Sequence, residues 1–248
     1  MRVEGLAIAL RPRTQSEACD LGAALVRGHA ASIWRCFTPV LLVVAVLALC
    51  TVDTYGGMPV LILFWLKPWL DRVLVFVLAR AVFGEATRWI DLWRARRLVM
   101  GGQLLRTLLW RRFSPWRAYT QPIEQLEGQR GAARRKRAKL MLNDNRGAAT
   151  ALQTAFAHAE AVLTYALVAL LWWFAPENRN ADVWDWFFNP GAHPAGQLAL
   201  NLVLASSYVA VVLFLEPFYV AAGFAMYLNR RVALEAWDIE QEFRRAFA

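Results

Sequence analysis

The ionisable residues of greatest chemical interest stand inside long apolar runs. Leu66-Lys67-Pro68-Trp69-Leu70-Asp71-Arg72 and Leu215-Glu216-Pro217-Phe218-Tyr219 each set a charge directly before a proline. A lone ion at the centre of a bilayer costs at least ~2.5–3.5 kcal/mol on insertion scales, so each charge needs a partner. Lys67 precedes a polar boundary at Arg80 by 13 residues, and Glu216 precedes one at Asn229 by the same interval. Equal depth, about 20 Å from that boundary at helical rise, and opposite sign make Lys67–Glu216 a candidate pair. A local rival exists, because Lys67 and Asp71 are four apart and share a helix face. Arg72 then seeks Glu216 or Glu160. His158 and Glu160 add titratable groups to a third apolar run. Lys67 and Arg72 against Asp71, Glu160 and Glu216 leave one negative charge in excess. Protonated His158, a protonated carboxylate or an outside partner balances it. Such a network serves structure, a transport or proton pathway, or an enzyme site.

The prolines contribute as well. Pro68 and Pro217 each remove a backbone donor and free a carbonyl one turn earlier, which predicts helix kinks. Standard catalytic signatures are missing from the sequence: there is no H-E-x-x-H, no Gly-rich phosphate loop and no G-x-S-x-G elbow. His158 and Glu160, two residues apart, turn to different faces of a helix and make a poor metal pair. Cys19, Cys36 and Cys50 form no C-x-x-C motif. Neither a cofactor nor a metal is expected.

The elements that must position these groups follow from composition and pattern. Of 248 residues, 58% are hydrophobic and 12 are tryptophan, with a mean hydropathy of +0.32. That profile favours an integral membrane protein over a soluble domain. The formal charge of +9 is concentrated between apolar segments, where anionic headgroups account for it better than nucleic acid. Residues 14–35 alternate as an amphipathic helix at the membrane surface, with Ser16 as a candidate cap. Crossings are expected at 31–52, 59–83, 146–174 and 198–228, the last long enough to require a kink at Pro217 or a protruding start. The middle, 84–145, carries 14 Lys or Arg residues, against Arg179 alone in the loop 176–196. Positive charge is retained on the cytoplasmic side, so the middle and both termini are assigned there. Within the middle, Trp89, Leu92 and Trp93, and then Leu104, Leu105, Leu108 and Leu109, read as surface helices. Arg134-Arg135-Lys136-Arg137 sets topology or clamps anionic lipid or an acidic partner. Residues 234–247 read as a closing amphipathic helix. The expected fold is all-α and integral to the membrane. It has four transmembrane helices in two parallel-oriented pseudo-repeats, 14–83 and 146–248, joined by the basic helical connector 84–145.

Several local motifs carry a likeness to a known group. They are Leu10-Arg-Pro-Arg13, Leu66-Lys-Pro68 with Asp71-Arg72, Phe83-Gly-Glu85, Trp110-Arg-Arg112 and Gln125-Leu-Glu-Gly-Gln-Arg-Gly131. Arg146-Gly-Ala-Ala149 and Tyr227-Leu-Asn-Arg-Arg231 with Glu235-Ala-Trp-Asp-Ile239 complete the set. In these the chain resembles uncharacterised proteobacterial inner-membrane proteins. Such proteins accompany a MoxR-type AAA+ ATPase, a von Willebrand-factor-A-like protein and a transglutaminase-associated membrane protein. It is distantly similar to the membrane domain attached to some glycerophosphodiester phosphodiesterases. The resemblance implies an inner-membrane setting and no catalytic residue.

The expectation from sequence is a non-enzymatic inner-membrane scaffold or accessory subunit of an envelope-associated complex, with membrane-protein partners or self-association. The alternative is a small transporter or lipid-handling protein that uses the proline-broken helices. A water-accessible cavity at Lys67 and Glu216 would mark that alternative, and a dry, packed pair would speak against it.

Overall fold

The computed structural model describes residues 13–101, 108–109, 113–174 and 194–235. Their regular elements are all helical. In order these are α1 (Gln15–Gly28), α2 (Ala30–Leu49), α3 (Met58–Ala81), α4 (Trp89–Arg94), α5 (Arg96–Met100), α6 (Arg117–Gln125), α7 (Gly131–Leu142), α8 (Arg146–Trp173) and α9 (Pro194–Glu235). Three stretches are long and apolar enough to cross a membrane: Ala30–Leu49, Arg146–Leu171 and Gly196–Glu235. α3 falls outside that set because Lys67, Asp71 and Arg72 interrupt its apolar run, yet more than half of it is buried. Residues 1–12, Leu104, Leu105, the Trp172 side chain, the loop 176–193 and the chain beyond Glu235 lie outside the described residues.

α9 is the axis of the bundle, and α1, α2, α3, α6 and α8 all pack against it. Its 42 residues run about 63 Å, twice the ~30 Å hydrocarbon core. The helix continues through Pro217. That proline deprives the Leu213 carbonyl of its usual donor, and Trp34 Nε1 of α2 donates to it instead at 3.2 Å.

α1 is capped by Thr14, not Ser16. Thr14 Oγ1 accepts from the Glu17 amide at 3.3 Å while Glu17 Oε2 accepts from the Thr14 amide at 3.1 Å, a reciprocal capping box. The helix ends at Gly28, short of the expected residue 35, and lies against α9 through Ala18, Gly22, Leu25 and Val26. Contact there is backbone to backbone: a β-carbon on Gly22 would come within 2.6 Å of the Ala221 carbonyl oxygen. On α9, Gly223 is equally tight, its β-carbon position lying 2.8 Å from the carbonyl carbon of Ala118 in α6.

Large exposed apolar side chains include Leu42 and Leu47 of α2, Leu61 and Phe64 of α3, Val162 and Leu171 of α8, and Leu198 and Phe214 of α9. These lie on one side of the level of Lys67 and Glu216 along their helices, while Leu98, Leu140 and Leu234 are exposed on the other. On the other side, α1, α6 and α7 enclose the continuation of α9, with Tyr119, Phe224 and Tyr227 fully buried. Beside α3, Leu92 of α4 turns inward while Trp89 and Trp93 stay exposed. This segment is tied to α3 at the same level: Trp69 Nε1 donates to the Met100 carbonyl at 3.1 Å, and the rings of Trp65 and Phe113 meet edge to face at 5.9 Å.

Candidate functional site

The charges singled out in the sequence converge on one buried network. Lys67 Nζ of α3 reaches Glu216 Oε2 of α9 at 2.6 Å and Glu160 Oε2 of α8 at 2.5 Å. The cross-helix pair therefore forms. Lys67 does not pair with Asp71 along its own helix. Asp71 instead meets Arg117 Nε of α6 at 2.8 Å, and Arg117 Nη2 donates to Glu216 Oε1 at 3.1 Å. Glu216 thus takes a cation on each oxygen. Lys67, Asp71, Arg117 and Glu216 are all buried, and Glu160 is half-buried at the rim. Such pairing offsets the large desolvation penalty of each ion only because nearly every charge has an opposite neighbour in contact.

Arg72 turns elsewhere than Glu216 or Glu160. Its Nε donates to the Val99 carbonyl at 2.5 Å and its Nη1 lies 3.6 Å from Glu124 Oε1. His158 stands apart from the network. It is exposed, and its Nδ1 lies 2.8 Å from the Thr154 carbonyl of its own helix.

α6 is the element that sequence reasoning missed. Arg117 was one of many basic residues in the connector, and Glu124 sat in a polar motif, yet every residue from Arg117 to Glu124 is buried. One signal was available: Arg117 is the sole charge between Phe113 and Ile123, apart from the basic clusters on either side. The helix is seated by side-chain amides that read α3 backbone. Gln121 Nε2 donates to the Pro68 carbonyl at 3.3 Å, and Gln125 Nε2 to the Arg72 carbonyl at 2.7 Å. Tyr219 completes the seat. Its hydroxyl accepts from the Ala118 amide at 3.4 Å and donates to Gln153, and its ring lies 5.3 Å below the Arg117 guanidinium.

A second network ties α6 and α7 to the far end of α9. Arg137 donates to Glu127 at 2.8 and 3.2 Å and also bonds Glu235, while Tyr227 donates to Glu127 at 2.6 Å. Burial opposes the charge on Arg137, but the bonds to Glu127 and Glu235 outweigh it and raise its pKa. The basic run therefore divides. Arg137 is spent on internal pairing, Arg134 is half-buried 3.9 Å from Glu124, and Arg135 and Lys136 are exposed. Nearby, Tyr119 Oη donates to the Met141 carbonyl at 2.8 Å. Burial, only partly opposed by the positive charge of Arg230, pushes the Tyr119 phenol up to about 12.

Among the described residues, no group of three His, Cys, Asp or Glu side chains gathers in a way that could hold a metal ion. What the arrangement does chemically is neutralise charge. Lys67, Arg72, Arg117 and Arg134 face Asp71, Glu124, Glu160 and Glu216, so that four cations meet four carboxylates. Comparison with protein-family models, curated proteins and solved structures gives no match, so the reading of this site rests on its own geometry.

Proposed function

We propose that the chain is a non-enzymatic, multi-pass membrane subunit that scaffolds an envelope-associated complex. In this reading its buried charges pin the bundle and do not carry a substrate. The observation that supports it is the closure of the Lys67–Glu216–Arg117–Asp71 network. On its Lys67 and Glu160 side, the space bounded by Lys67, Arg117, Glu160, Glu216 and Tyr219 holds only about 10 Å³. That is at or below what one water molecule requires, whereas a transport pathway through these charges needs a wetted file.

In the same reading α3 is a fourth crossing whose charges are shielded by α6, α8 and α9. Two helix pairs, α2–α3 and α8–α9, meet through α3 and α9, which supports a duplicated unit with Lys67 and Glu216 at corresponding positions. The basic connector and both termini then face the cytoplasm. α8 supports the scaffold role: most of its apolar length is uncovered by the rest of the described chain, leaving a lateral face for lipid or another membrane protein. The resemblance to inner-membrane proteins that accompany an AAA+ ATPase points the same way. Purification in mild detergent after cross-linking tests the proposal. The expected result is a co-purifying membrane partner or a stable self-assembly, and a lone monomer would sink it.

A further inference from the structure

A cavity of about 670 Å³ opens between α3, α6 and α7, with Arg117 of the charge network on its wall. Arg72, Arg117, Arg134, Arg135 and Lys139 line it, and among the described residues no carboxylate does. We propose that this cavity is a binding site for a phosphate-bearing anion, either the headgroup of an anionic phospholipid or a free phosphate ester.

The chemistry follows from how the five cations are held. Arg117 and Arg72 are fixed from behind, one by Asp71 and Glu216, the other by the Val99 carbonyl and Glu124. A guanidinium has five N–H donors, so those bonds leave donors over while abolishing side-chain freedom. Arg134 is likewise restrained near Glu124. Arg135 and Lys139, at the exposed end, have no carboxylate partner among the described residues and leave the cavity with two uncompensated positive charges. Fixed forks in a recess, with exposed cations beside them, match the oxygens of a phosphate group. The volume exceeds that of a bare ion and falls in the usual range for small-ligand sites. Its mixed lining favours a lipid source. Pro68, Trp116, Ala138 and Leu142 also line it and give an acyl chain apolar surface beside the cations.

The full chain in neutral detergent can be tested with three probes: dioleoylphosphatidylglycerol, dioleoylphosphatidylcholine and inorganic phosphate. Native mass spectrometry reads the lipids, and equilibrium dialysis with labelled phosphate reads the ion. Phosphatidylglycerol is expected to be retained over phosphatidylcholine. The double variant Arg135→Gln/Lys139→Gln, both exposed and remote from the core, should weaken retention at least about tenfold, since each charge-assisted bond contributes ~1.5–3 kcal/mol. Lys136→Gln, which does not line the cavity, should leave it unchanged. Binding of inorganic phosphate alone, with the same dependence on Arg135 and Lys139, supports the site and assigns it to a soluble phosphoanion. The proposal is overturned if neither anion binds, or if the double variant binds as tightly as the parent.

Discussion

Arg117 Nε lies 2.8 Å from Asp71 Oδ2, inside the bundle, although Arg117 belongs to a segment that reads as polar connector. The contact turns α6 into a plug: it brings a second cation to a pocket where Lys67 alone would face Asp71, Glu160 and Glu216. With α6 inserted, Lys67 and Glu216 are enclosed by α3, α6, α8 and α9.

Removing the plug charge should be severe. Arg117→Ala leaves Asp71 and one oxygen of Glu216 buried without a cation, a change that costs ~3–5 kcal/mol when a buried pair is broken one-sidedly. Chemical denaturation in detergent should show that loss, with Arg117→Lys intermediate because a point charge cannot span both carboxylates. A stable Arg117→Ala protein would mean that α6 is held by its amides and packing alone.

Charge exchange between Lys67 and Glu216 should fail to rescue. In Lys67→Glu/Glu216→Lys the new glutamate faces Glu160, at a site now 2.5 Å from the Lys67 ammonium, and the new lysine faces Arg117. Like charges meet at both positions, so the double variant should accumulate no better than either single one on quantitative immunoblotting. Full recovery would reduce the network to an isolated pair.

The indole of Trp34 and the ring of Pro217 should be thermodynamically coupled. Trp34→Phe keeps an aromatic ring near Phe218 but removes the donor to the Leu213 carbonyl, at a cost of about 1 kcal/mol. In a Pro217→Ala background the restored amide serves that carbonyl, and the same substitution should cost less than half as much. A double-mutant cycle measured by thermal unfolding decides the matter, and equal costs in both backgrounds would remove the link.

Alkaline stability should report Tyr119. Its phenol is raised by burial to about 12 from an ordinary value near 10, so the folded state holds the proton more tightly than the unfolded chain. That contribution is fully present below pH ~10 and is lost as pH rises toward about 12, at most roughly 3 kcal/mol. Tyr119→Phe should therefore be less stable at neutral pH, through the lost bond to Met141, and the gap should narrow steadily above pH 10. Parallel curves for the two proteins would contradict this.

The sequence by itself determined the helical class, the apolar runs, and the residues whose charges demanded partners. Hydrophobic periodicity is local, and the penalty on Lys67 or Glu216 follows from its immediate neighbours along the chain, so both could be read directly. Even the Lys67–Glu216 pair was legible, because equal spacing from a polar boundary encodes equal depth. Partner choice beyond that pair was not. Asp71 and Lys67 are well placed on one helix, yet Arg117 takes Asp71 because α6 folds back across α3, guided by amide bonds from Gln121 and Gln125 that no periodicity marks. Nor could composition show that a stretch as polar as Arg117–Glu124 is buried, since its partners stand up to 101 positions away. Tertiary structure alone decided which cations closed the network and which, Arg135 and Lys139 among them, were left facing an open cavity. Burial and pairing are properties of the assembled surfaces, and chain neighbours carry no record of them.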